Sequence, residues 1–247
     1  ASGNVYVAGY YQWSIDFPSV TLNLEYSSTK QNWCDLYLAK YDKDGNFKWA
    51  TTAPGDDMDQ PVALATDIAG NVFMTGFYES TTLKFDNIIL TNSDIVSTGL
   101  YLKKDIFVAK YNPDGKVLWA KSAGGFRDDD SKSITTDPSG NAYIAGYFLS
   151  PTINFDLEKL TNNDTVYSTD AFLAKYSANG EVLWVKNPGG TNNDYGNSVA
   201  ADKSGTIFLT GRFQSSDFTA GPFNLTTDWI GTLFMVKYNP DGTVIWV

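Results

Sequence analysis

No histidine occurs anywhere in the 247 residues, and cysteine occurs once, as Cys34. The first absence removes Ser-His and Cys-His nucleophilic systems together with the commonest zinc ligand. The second removes any intrachain disulfide, so packing has to hold the fold. Positive charge is scarce as well. Eighteen lysines and arginines stand against 28 acidic residues, a net charge of −10, and no basic stripe is present to neutralise a nucleic-acid backbone. No apolar run approaches the ~18 residues that read as a membrane-spanning helix. Walker phosphate loops, Gly-x-Ser-x-Gly elbows and Cys-x-x-Cys pairs are all missing. Only carboxylate chemistry of the glycoside-hydrolase kind stays open, and among so many acids no pair stands out. The expectation is a protein that is not an enzyme.

What the chain does contain is one pattern written four times. Gly3, Gly70, Gly140 and Gly205 open the copies, each followed at a spacing of three by Tyr6, Phe73, Tyr143 or Phe208 and then by Gly9, Gly76, Gly146 or Gly211. Lys40-Tyr41, Lys110-Tyr111, Lys175-Tyr176 and Lys237-Tyr238 come next, then Gly45, Gly115, Gly180 and Gly242, and Trp49, Trp119, Trp184 or Trp246 closes each copy. Such periodicity marks a repeat array. We expect a single domain over 1–247, with repeats at approximately 1–54, 55–124, 125–189 and 190–247.

Each copy holds four short β-rich runs, clearest in the second at Val62 to Asp67, Asn71 to Tyr78, Asp105 to Tyr111 and Val117 to Ala123. Turns such as Asn112-Pro113-Asp114-Gly115 join them. The runs are apolar on both faces, so each small sheet needs a neighbour on either side. Radial stacking supplies that, which predicts an all-β β-propeller of four-stranded antiparallel blades, with four repeats visible and more in the whole ring. The recurring Trp is expected between blades, and the mid-strand glycines where a backbone or ring comes close. The first copy lacks an innermost run, and the pattern breaks off after Trp246, so the chain reads as a segment of a longer one.

The motifs Gly-Asn-Val-Tyr-Val-Ala-Gly, Asp-Ile-Phe-Val-Ala-Lys-Tyr and Asp-Gly-Lys-Val-Leu-Trp-Ala resemble the bacterial SBBP-type β-propeller repeat over essentially the whole chain. The resemblance implies a multi-bladed propeller of secreted or cell-surface proteins with no general enzymatic activity. A fold shared by many functions leaves the ligand open.

Long insertions, approximately Tyr10 to Cys34, Glu79 to Lys104, Leu149 to Thr169 and Gln214 to Ile230, gather on one face, where binding sites of repeat proteins usually lie. Phe17 with Leu22, Phe85 with Leu90 and Phe155 with Leu160 repeat within them at one spacing, which suggests a satellite core or an extra strand pair. The fourth copy departs to Phe218, Phe223 and Leu225. Trp13, Trp33, Tyr26, Tyr101, Tyr167 and Trp229 vary between copies and are the candidates for ligand or partner contact, set against the plainer reading that they cover the loops. Asp59, Asp129 and Asp194 recur at the blade junctions. An Asx-type structural role is favoured over a Ca²⁺ site, and no other cofactor is indicated. The repeated lysines read as members of structural ion pairs with the repeated aspartates. Two functions follow as expectations: a protein-interaction or scaffold module of a bacterial envelope assembly, extracellular or at the cell surface, or an adhesin or receptor domain that binds glycans.

Overall fold

The computed structural model describes residues 3–24, 34–94, 103–164, 168–227 and 231–247. Every regular element among them is a β-strand. The second repeat forms strands Asp59–Thr66, Val72–Tyr78, Asp105–Tyr111 and Val117–Gly124, paired antiparallel in that order. The third forms Asp129–Thr136, Ala142–Phe148, Asp170–Tyr176 and Val182–Lys186, and the fourth Asp194–Ala201, Ile207–Phe213, Thr232–Tyr238 and Val244–Trp246. The first contributes three strands, Val5–Tyr11, Asp35–Tyr41 and Phe47–Ala53. The innermost strand of the second unit begins at Asp59, ahead of the expected Val62, and its register shift between Pro61 and Ala63, repeated at Ser131/Ser133 and Gly196/Ser198, leaves the proline at a bulge. A bulge on an edge strand is one of the few sheet positions where a missing N–H does no harm.

Local chemistry explains the tight turns. Asp137 Oδ1 accepts the N–H groups of Ser139 and Asn141 at 2.9 and 3.0 Å, its carbonyl accepts Gly140 N–H, and Gly140 takes φ 77°. A side-chain acceptor and a residue free to adopt positive φ make this reversal in a few residues.

Successive units are fastened by the residues that the repeat conserves. The Trp49 indole N–H donates to the Pro113 carbonyl at 3.0 Å, Trp119 to Ala178 at 3.1 Å and Trp184 to Pro240 at 3.2 Å, each reaching the outer turn of the next unit. The lysine beside it does the same: Lys40, Lys110 and Lys175 donate to those three carbonyls at 2.7, 3.1 and 2.8 Å. Lys110 and Lys175 also lie 3.4 and 4.0 Å from Asp67 and Asp137, so where the repeated lysines pair it is with the turn aspartates, not with Asp59, Asp129 or Asp194, and the lysine is shared with a backbone carbonyl. Mid-strand glycines mark the closest approach of strands. A Cβ on Gly146 would stand 2.0 Å from the Asp130 carbonyl oxygen, and one on Gly196 2.8 Å from that of Gly146 in the preceding unit.

The long insertions begin as hairpins: Ser14–Phe17 with Val20–Asn23, Thr82–Phe85 with Ile88–Thr91, Thr152–Phe155 with Glu158–Thr161, and Phe218–Ala220 with Phe223–Leu225. In each, one phenylalanine packs on the third strand of its own unit, as in Phe17 on Tyr37, Phe85 on Phe107, Phe155 on Phe172 and Phe218 on Phe234. Three of the hairpins then bond to the outer edge of the unit before them. Lys84 N–H donates to the Pro54 carbonyl, Phe155 and Asn154 pair with Ala123 and Gly124, and Thr219 exchanges hydrogen bonds with Gly189.

Strand contacts between units run from first to second, second to third and third to fourth. The fourth unit leaves Leu233 79% and Met235 45% exposed on its outer face, and the free edge of the first sheet exposes Val5 and Val7.

Candidate interaction face

Three aspartates tie the inner strands to the insertions. Asp129 Oδ1 accepts the N–H groups of Leu149 and Ser150 at 3.1 and 3.2 Å, and its Oδ2 accepts the Ser150 hydroxyl at 2.8 Å. Asp59 makes the same bonds with Glu79 and Ser80, and Asp194 with Gln214 and Ser215. All three carboxylates are wholly buried. Their role is structural, but it is not an Asx turn within their own loop: the donors come mainly from the insertion of the same unit, 20 and 21 residues later. Each aspartate sits at a separate junction, and no group of three or more acidic, cysteine or histidine residues converges among the described residues. Ser150→Ala should cost about 1–3 kcal/mol by removing a donor from a buried acceptor, measurable by denaturant unfolding.

Beside these, at the start of each third strand, lie the buried Asp35, Asp105 and Asp170. Asp105 Oδ2 accepts Ser93 N–H, and Asp170 Oδ2 accepts Asn163 N–H and the Asn187 amide. The Oδ1 atoms of Asp105 and Asp170 are buried, with no hydrogen-bond partner among the described residues. Burial pushes the Asp105 carboxyl up to about 7 and that of Asp170 up to about 6. Burial likewise raises Asp129, and the charge of Asp105 adds to the effect.

Next to the third junction runs a row of alternating cations and rings. Lys132 pairs with Asp130 at 2.8 Å and lies 5.2 Å from the Tyr147 ring centroid. Tyr147 meets Tyr195 of the next unit edge to face at 5.0 Å, and the Arg212 guanidinium stands 5.0 Å from the Tyr195 ring. Arg212 is exposed, and Tyr147, Tyr195 and Lys132 are half-buried. The row is particular to this junction: Gln60 and Phe77 hold the places of Asp130 and Tyr147 in the second unit. It lies at the strand ends that lead into the insertions.

Of the residues that the sequence singles out for contact, Tyr26, Trp33, Tyr101, Tyr167 and Trp229 lie outside the described residues. Trp13 is 78% exposed on the bend before its hairpin. It holds φ 74°, with its carbonyl accepting Leu24 N–H at 2.8 Å. A left-handed backbone costs an L-residue roughly 1–2 kcal/mol. Sequence reasoning missed Asp130, Lys132, Tyr147, Tyr195 and Arg212. Part of the signal was there, since Asp130, Lys132, Tyr195 and Arg212 depart from their counterparts in the other copies, whereas Tyr147 matches Tyr10 of the first.

A family model described as a β-propeller repeat matches residues 119–147, the stretch from the junction tryptophan of the second unit to the second strand of the third. The chain is 26% identical over 254 aligned positions, 86% of its length, to an uncharacterized WD repeat-containing protein of Acanthamoeba polyphaga mimivirus, of which it covers 18%. It is 25% identical over 123 positions, half of its length, to the "Regulatory protein FlaEY" of Caulobacter vibrioides, of which it covers 13%. The chain thus spans less than a fifth of either relative. The repeat architecture is supported in kind, and the mimivirus relative leaves the expected bacterial origin without confirmation.

Proposed function

We propose that these four units are blades of a larger β-propeller and that the protein is a non-catalytic protein-interaction module, a scaffold at a cell surface or in a secreted assembly. The observation that carries this reading is the uncovered face of the fourth unit. At internal junctions the tryptophan and lysine of one unit donate to the outer turn of the next, and a small residue of the next inner strand settles against the mid-strand glycine. On the fourth unit the equivalent groove, lined by Thr210, Gly211, Leu233, Phe234 and Met235, is open, and Trp246 is 39% exposed. An apolar sheet face of this kind, rimmed by donors, marks a site for another protein surface. It fits a further β-sheet unit with a small residue on its inner strand and a free turn carbonyl. The surface setting rests on composition and on the motif resemblance. The test is the native mass of the protein captured from its source under non-dissociating conditions. A mass well above that of the intact polypeptide, and lower in a Leu233→Asp, Met235→Lys variant, is expected; a single polypeptide's mass would overturn the reading.

Glycan recognition has its own support in the Tyr147–Tyr195 row and exposed Trp13, since aromatic faces with polar neighbours suit sugar stacking. Sugar binding lost in Tyr147→Ala and Tyr195→Ala variants of unchanged stability would favour it.

A further inference from the structure

The second and third units close their rim hairpins with an aspartate in left-handed backbone, Asp86 at φ 52° and Asp156 at φ 51°. The fourth unit has Gly221 there at φ 57°. The residue before the turn is Phe85 or Phe155, both wholly buried, but in the fourth unit it is Ala220. Across the junction, the Asp156 carboxylate lies 2.8 Å from Lys121 Nζ of the preceding unit. Lys186 is the counterpart of Lys121, two residues after the junction tryptophan, and it makes no ion pair among the described residues. Its ammonium rests 5.8 Å from the Trp184 ring. The nearby Asp241 carboxylate is engaged by Thr243 N–H and Oγ1 at 2.9 and 2.7 Å.

The outer strand of the third unit also stops early. Asn187-Pro188 stands where the second unit has Ser122-Ala123, and the strand ends at Lys186 where its counterpart runs on to Gly124. Together these substitutions open a cavity of about 470 Å³ lined by Lys186, Asn187, Ala220, Gly221, Tyr238 and Val244, among others. Asn187 Oδ1 and the Tyr238 hydroxyl are buried behind this lining with no hydrogen-bond partner among the described residues, as is the hydroxyl of Tyr176 in the third unit. The position before the turn carries no ring, the hairpin's packing phenylalanine standing two residues earlier at Phe218, and the turn carries no carboxylate, while the lysine that would answer one has been kept.

We propose that this cavity between the third and fourth units binds an aromatic carboxylate, its ring in the space beside Ala220 and its carboxylate on Lys186 as Asp156 sits on Lys121. The volume lies within the roughly 300–1,000 Å³ of small-ligand sites. The same chemistry is offered by a free aromatic hydroxy or amino acid and by the C-terminal phenylalanine of a partner chain. This site stands apart from the open sheet face and goes beyond the interaction reading.

Calorimetric titration of the whole chain with 3-phenyllactate, with N-acetyl-Gly-Gly-Phe and with the amide of that peptide tests the proposal. Saturable binding of the free acid, the peptide acid or both is expected, with the amide inert. Preference for one acid identifies the source. Lys186→Met should weaken binding at least about tenfold by removing the charged partner. Ala220→Phe should abolish it by filling that space with a ring, while thermal stability holds or rises and so shows that the variant folds. Gly221→Asp, which supplies the carboxylate in place once Val244 yields by a few tenths of an ångström, should compete in the same way. No saturable binding by wild-type protein up to about 10 mM ligand, or binding undiminished in both Lys186→Met and Ala220→Phe, would overturn the assignment.

Discussion

Trp119→Ala should destabilise the protein by about 3–5 kcal/mol, the range for deleting a buried large aromatic, while the same change at Trp246 should cost under about 1.5 kcal/mol, less than full burial of a large side chain is worth. The two residues hold one place in the repeat and differ in surroundings. Trp119 is 8% exposed, bonds to Ala178, packs on Phe73 and Tyr176, and lies over Gly180 of the next unit. Trp246 is 39% exposed and meets Phe208 at 6.4 Å. Denaturant unfolding of both variants under one buffer checks the contrast. Equal losses would mean that tryptophan stabilises each unit internally and that the junction contacts contribute little.

Mild acid should stabilise the protein. Asp105 and Asp170 have folded pKa values of about 7 and about 6, above an unfolded aspartate. The native state therefore holds more protons than the unfolded chain between about pH 4 and 7, and stability falls as pH rises through that window. Below about pH 4 both states are protonated and the penalty is absent; above pH 7 it is complete, of order 3 kcal/mol per group. Exposed Asp42, Asp202 and Asp241 act in the opposite sense, because hydrogen bonds hold their carboxyls low and that stabilisation disappears in stronger acid. The melting temperature should accordingly peak near pH 4 and decline toward pH 7. Asp105→Asn should flatten the descending limb. A wild-type profile level from pH 4 to 7 would show that these carboxyls are neutralised in another way.

Strand order was legible because the repeat carries its own punctuation. Asp-x-x-Gly turns and the Lys-Tyr and Trp landmarks fall where the sheets reverse and meet, and the Phe85–Leu90 and Phe155–Leu160 spacing anticipated an extra strand pair. What escaped notice was contact between an inner strand and the insertion of its own unit. Nothing local in Asp129 says that its donors lie 20 and 21 residues later at Leu149 and Ser150. Gly124 and Gly125 drew no notice, yet a Cβ on either would collide with Asp105 or Ser150. The candidate sites were harder still. Arg212 and Gly221 matter because they differ from their counterparts, and a reading that averages the copies hides such differences.

Each junction is fastened in both directions. Tryptophan and lysine reach forward to the next outer turn, while the rim hairpin reaches back to the previous outer edge. The segment that can be exchanged between proteins is therefore not one sheet. A graft of strands Asp129–Thr136 through Val182–Lys186 would bring the hairpin that grips Gly124 but leave behind the one that grips Gly189. Recombination that respects these fasteners has to cut within the insertions, after one hairpin and before the following third strand, so that the splice frame of the array is offset from its visible sheets.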